Sequence, residues 1–205
     1  MRGQYLFSEW DMFTVVEHQK TVAIKKVEQV SAAQLQATSE NELVAELVKQ
    51  LHLNVPVLKE PYIAESGEAK VDVSRDPRRA IFNRSRPFYI QGIQTIIAVP
   101  FEGDRDLFKV QPNTFSSIKP MAELAGMEVR LTYEQFEPNS EVIKAAYTKT
   151  LQEIEQYLGW QRPSADDFNN QLEGLLRKRL SERKQKLEAG AAMIGSLGLP
   201  TVKPE

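Results

Sequence analysis

The chain has 205 residues, 41% of them apolar and 26% charged, which is the length and composition of a globular domain with an appendage. Lys and Arg number 26 against 28 Asp and Glu, a net charge of −2, so attraction to a polyanion has to come from a local patch and not from the whole molecule. The chain has no cysteine and two histidines, His18 and His52, which excludes disulfide scaffolds, thiolate nucleophiles and Cys- or His-rich metal centres.

The N-terminal segment through Phe13 lacks the apolar core of a signal peptide. The longest apolar run, Ile96 to Phe101, is far shorter than the roughly 20 residues that span a bilayer. A cytoplasmic location is expected, with no membrane partner. Between residues 9 and 33, Met12, Val16, Ala23, Val27 and Val30 recur at near-helical spacing. Ser39 and Glu42 then form a capping box ahead of a stripe of Leu43, Leu47 and Leu51, predicting a helix that ends near His52. From 57 to 134 the texture is β-type: Val57-Leu58, Lys70 to Val73, Phe88 to Val99 and Glu128 to Tyr133, separated by Gly, Pro and Asn. These runs predict a mainly antiparallel sheet of roughly four to six strands.

Two long helices are expected next. Ser140 is placed as the cap of the first, whose stripe is Ile143, Tyr147, Leu151, Ile154 and Leu158. Gly159 to Pro163 read as a break, and Ser164 restarts a helix carrying Phe168, Leu172, Leu176, Leu180 and Leu187. The expectation is an α+β fold with N-terminal helices, a mainly antiparallel sheet and a C-terminal long helical hairpin. Residues 1–138 form the α+β domain, 139–191 a hairpin packed on it or used for assembly, and 192–205 a tail or linker.

The most unusual stretch runs from Lys70 to Tyr89. It carries six basic residues against Asp72 and Asp76, an excess of four positive charges. Arginine forks grip phosphate or carboxylate in bidentate fashion, and Phe82, Phe88 and Tyr89 lie among them. Arg75, Arg78, Arg79, Arg84, Arg86 and Tyr89 are therefore the candidate anion- or nucleic-acid-binding residues. The competing reading pairs these arginines with Asp72, Asp76, Glu102, Asp104 and Asp106 and so fixes a loop to the sheet. A second basic stretch, with Arg177, Arg179 and Arg183 on the last helix, reads as a solvated face or a partner contact. With Tyr157 and Trp160, these arginines are the candidate partner-contact residues, for a homodimer or a defence-system partner protein.

Neither a phosphate loop, a dinucleotide fingerprint, a zinc-protease helix nor a hydrolase elbow occurs, and no cofactor or metal is implied. Glu68-Ala69-Lys70 matches an E-x-K nuclease fragment without a Pro-Asp partner upstream, as chance alone produces. An enzyme remains the alternative class, with Asp72, Asp76, Asp104 and Asp106 around a divalent ion. A purely structural dimerisation domain is the third.

Several motifs resemble the N-terminal region of uncharacterised bacterial proteins that carry a C-terminal nuclease-like domain of the PD-(D/E)xK type. They are Asp72-Val73-Ser74, Asp76-Pro77-Arg78-Arg79, Asn83 to Tyr89, Val99-Pro100-Phe101 with Gly103-Asp104, Leu107-Phe108 and Pro112 to Phe115. Tyr157-Leu158 with Trp160, Phe168-Asn169 and the Ser196 to Pro200 ending complete the set. The resemblance covers nearly the whole chain and implies architecture more than activity. In that family the nuclease follows the Leu-Gly-Leu-Pro ending, and this chain stops five residues later at Glu205, so no catalytic residue carries over. The resulting expectation is a non-catalytic recognition or assembly module associated with a bacterial nuclease or phage-defence protein.

Overall fold

The longest element is a single helix of 57 residues, and the sheet is built against its first half. A computed structural model describes residues 3–77, 79–80 and 82–197. In chain order the elements are β1 (Gln4–Tyr5), β2 (Trp10–Asp11), α1 (Met12–Gln29), α2 (Ala32–Ala37), α3 (Glu40–Leu51), β3 (Val57–Leu58), β4 (Tyr62–Asp72) and β5 (Tyr89–Glu102). A 3₁₀ turn (Arg105–Lys109), β6 (Val110–Gln111), β7 (Met121–Ala125), β8 (Glu128–Gln135) and α4 (Ser140–Ser196) follow. The protein is thus α+β, with N-terminal helices, a mostly antiparallel sheet and a long C-terminal helix.

The chain divides into two units. One comprises the residues up to Met12 with Asn54–Pro163, and the other Phe13–Leu53 with the chain from Ser164 onward. In the first, the sheet order is β1-β7-β8-β5-β3, and β4 also pairs with β5. β5 is its spine because isoleucines and valine give it β-branched side chains throughout, with Ile97, Val99 and Phe101 alternating inward. The strand runs past Pro100, whose carbonyl still accepts from the Lys59 N–H at 2.8 Å. The inward residues meet Ile154, Tyr157 and Leu158 of α4, with Phe7 stacked on Tyr157 at 4.8 Å between ring centroids. Gln161, fully buried, donates from Nε2 to the carbonyls of Leu107 and Val110 and so ties the 3₁₀ turn and β6 to α4.

The second unit is helical. Ser39 and Glu42 form the expected capping box of α3, and Ser31 with Gln34 forms another on α2, an element absent from the sequence reading. Leu43, Leu47 and Leu51 are buried, as are Phe168, Leu172, Leu176 and Leu180. The Asn169 amide both accepts from the Leu53 N–H and donates to the Leu53 carbonyl, at 2.9 Å each.

The hairpin expected at 159–163 is replaced by uninterrupted helix, with Pro163 inside it. The cause lies in the phase of the buried stripe: Ile154, Leu158, Gln161, Ala165, Phe168, Leu172, Leu176 and Leu180 keep steps of three and four straight across the proline. The N-terminal cap also differs. Asn139, not Ser140, accepts from the N–H groups of Glu141 and Val142. At the other end, 192–196 is helical rather than linker, while residues 198–200 of the Leu-Gly-Leu-Pro ending and the remaining tail lie outside the described residues.

Candidate functional site

β4 and β5 are joined by residues 73–88, and a side chain locks the base of that loop. Asp72 Oδ1 accepts from the N–H of Ser74 at 2.9 Å and from the N–H of Phe88 at 3.0 Å. Beside it the Val73 N–H donates to the Phe88 carbonyl. Val73 and Ser74 are buried. These bonds hold the Asp72 carboxyl below the usual aspartate range, chiefly through the Ser74 backbone N–H, then the Ser74 hydroxyl and the Phe88 N–H, with the Arg75 charge helping against burial. Farther along, the Arg79 N–H donates to the Asp76 carbonyl at 3.2 Å, the turn that Asp76-Pro77 signals.

The loop arginines divide into two sets. Arg79 is held down: its Nε lies 3.9 Å from an Asp76 oxygen, and its guanidinium stacks 4.2 Å above the Phe136 ring. Among the described residues it is the loop arginine that forms an ion pair. Arg75, Arg84 and Arg86 are exposed. Arg84 donates from Nη2 to the Arg79 carbonyl at 2.9 Å, which aims its plane without neutralising it. Arg78 lies outside the described residues. Arg79 and Arg86 line an open concavity of about 540 Å³ with Ala80, Phe82, Asn83, Pro87 and Phe88. Phe82 is wholly exposed, and Phe88 and Tyr89 are about half exposed. Tyr89 stands at the start of β5, opposite Asp72 in register, outside that concavity.

Of the acids named as rival partners, Asp76 pairs with Arg79 and Asp72 feels the Arg75 charge, while Glu102, Asp104 and Asp106 are occupied elsewhere. Glu102 pairs with Lys59 at 3.0 Å and Asp106 with Lys109 at 3.0 Å. Asp104 Oδ2 accepts from the Asn54 N–H at 2.7 Å, and the Asp104 N–H returns a bond to the Asn54 carbonyl. Gly103 makes that exchange possible: its φ of +109° suits glycine, and a Cβ there would stand 2.7 Å from the Asn54 carbonyl oxygen. Asp72, Asp76, Asp104 and Asp106 therefore each serve a local structural bond. Among the described residues no group of three or more His, Asp or Glu is placed to hold a metal ion.

Of the expected partner-contact residues, Tyr157 is buried and the other four are partly exposed. Tyr157 is 1% exposed, and its hydroxyl donates to the Ser116 carbonyl at 2.7 Å, so it belongs to the core and presents nothing to a partner. Trp160 is half-buried, tilted against Tyr157 at 5.1 Å. Arg177 bridges Glu173 at 2.8 Å and Glu40 at 3.6 Å, Arg179 pairs with Glu182 at 2.9 Å, and Arg183 Nε donates to the Val30 carbonyl at 2.7 Å. These cations fasten the helical unit to itself. Phe136, which anchors Arg79, went unread in the sequence; it lies far along the chain, and no local pattern connects the two.

No family model, curated protein or solved structure matches the chain. Among the described residues no helix is long and apolar enough to cross a membrane.

Proposed function

We propose that the protein is a non-catalytic recognition module that holds a single-stranded nucleic acid on the 73–88 loop, and that it serves a bacterial nuclease or phage-defence partner in the cytoplasm. The observation that carries this reading is the sharing of one open concavity by Arg86, Phe82 and Phe88. A phenylalanine left in water forgoes roughly 1.5–3 kcal/mol of burial, which a stacked base restores at about 1–3 kcal/mol per base. Arg84 and Arg86 supply exposed guanidinium groups that form no ion pair among the described residues, and Arg75, whose charge also acts on Asp72, is exposed as well; all three suit phosphates along the same strand. Unpaired bases are favoured because a duplex keeps its base faces stacked and closed to the phenylalanine rings.

The test is fluorescence anisotropy of labelled single-stranded and duplex oligonucleotides of one sequence. Single strands are expected to bind more tightly, with Phe82→Ala lowering that preference and Arg86→Ala weakening both substrates. Equal affinity for the two forms, unchanged by Phe82→Ala, refutes the stacking half of the reading. Absence of binding to either refutes the whole.

A further inference from the structure

β4 is an eleven-residue strand that hydrogen-bonds to β5 along one side, and among the described residues no strand pairs with its other edge. Such an edge presents a row of backbone donors and acceptors ready for another strand. Most of its side chains are exposed, with Val71 buried and Ala69 half-buried. A bulge between Ile63 and Glu65 interrupts the ladder, and from Glu65 to Asp72 its register is regular, so that 66–72 is the stretch symmetric about Ala69 within it.

We propose that this edge is a self-association surface, on which two copies of the chain pair their β4 strands antiparallel about Ala69. The selection comes from charge. On the regular segment Ser66, Glu68, Lys70 and Asp72 share one face, and Gly67, Ala69 and Val71 the other. A two-fold axis through an antiparallel pair lets facing residues come only from the same face, so the allowed registers step by two. Centred on Ala69, Glu68 of each copy faces Lys70 of the other, giving two opposite-charge pairs. Centred on Glu68 the pairing sets carboxylate against carboxylate, and centred on Lys70 it sets ammonium against ammonium and Glu68 against Asp72. One register is therefore favoured and its neighbours are penalised. Gln91 Nε2 donates to Glu68 at 3.0 Å and holds that carboxylate in place on its face. On the opposite face the small residues Gly67 and Ala69 offer no steric obstacle to a second strand. Seven residues a side is a small interface, so the dimer belongs to the weak, concentration-dependent class that buries less than about 1,200 Å². This inference is independent of nucleic-acid binding by the loop.

Sedimentation velocity of the full chain, from micromolar to about 1 mM, tests it. The wild type is expected to shift from monomer to dimer across that range. Glu68→Lys and Lys70→Glu each turn both pairs repulsive and weaken association by roughly tenfold or more. A mixture of the two variants restores complementary pairs and recovers the wild-type affinity, which a folding defect in either variant cannot imitate. A wild type that stays monomeric, variants that associate as it does, or a mixture that fails to recover overturns the proposal.

Discussion

Gln161 joins a buried side chain to two backbone carbonyls, and its replacement has a calculable effect. In Gln161→Leu the carbonyls of Leu107 and Val110 lose the Nε2 donor. An unsatisfied buried acceptor costs about 1–3 kcal/mol. Leu107 keeps a second donor, the Val110 N–H, so most of the loss falls on Val110. The substitution also removes Gln161 Oε1, which is buried without a hydrogen-bond partner, and that offsets part of the penalty. The net expectation is a loss of about 1–2 kcal/mol, or roughly 2–8 °C in Tm for a chain of this size. Gln161→Glu is the sharper case. A carboxylate facing two carbonyl oxygens is repelled unless it is protonated, so its folded pKa rises above the unfolded value of about 4.3. A raised pKa makes the folded state bind the extra proton, and stability then falls as pH rises, by about 1.4 kcal/mol per unit between the two pKa values. Urea unfolding of this variant between pH 4 and pH 8, against wild type, reads that slope directly. A Glu variant whose deficit is the same at every pH refutes the assignment of Gln161 as a donor to these carbonyls.

Two further outcomes follow from particular contacts. Pro163→Ala is expected to stabilise the protein by about 1–3 kcal/mol, because proline inside a helix forgoes a hydrogen bond and costs up to about 3 kcal/mol against alanine; a neutral or destabilising result in thermal unfolding points instead to a turn at 159–163. Asp72→Ala is expected to speed amide exchange at Ser74 and Phe88. Because the Asp72 carboxyl is lowered in the folded state, its contribution is present above the unfolded aspartate value of about 3.9 and is lost as pH falls through the lower folded value. Wild-type exchange, corrected for the intrinsic rate, should therefore approach that of the variant as pH falls through that lowered value, and protection that survives protonation of Asp72 contradicts the clamp.

Local chemistry was legible in the sequence. The Ser39–Glu42 capping box, the Leu43-Leu47-Leu51 stripe and the β-branched run of β5 each act within a few residues, and each forms as read. The short strands β1, β2 and β6, two residues apiece, were not legible because long-range partners create them. Pro163 misled for an instructive reason: its local penalty favours a turn, but the apolar register on either side outweighs it. At the candidate site the arginines and aromatics were visible as types. Which cation is free was not visible, because Arg79 is settled by Phe136 and by Asp76 within its own turn. Likewise Tyr157 carries an amphipathic side chain on a helix face, and only the packing of Phe7 and the carbonyl of Ser116 show that the face turns inward.

The central claim, that guanidinium groups of the 73–88 loop stay available to an outside polyanion, is tested most directly by the salt dependence of single-strand binding. Three exposed arginines, Arg75, Arg84 and Arg86, predict that log K falls against log salt with a slope of about −2, at roughly 0.7 per phosphate neutralised. Arg86→Ala should reduce that slope by about 0.7. A slope near zero, or one that Arg86→Ala leaves untouched, contradicts the account.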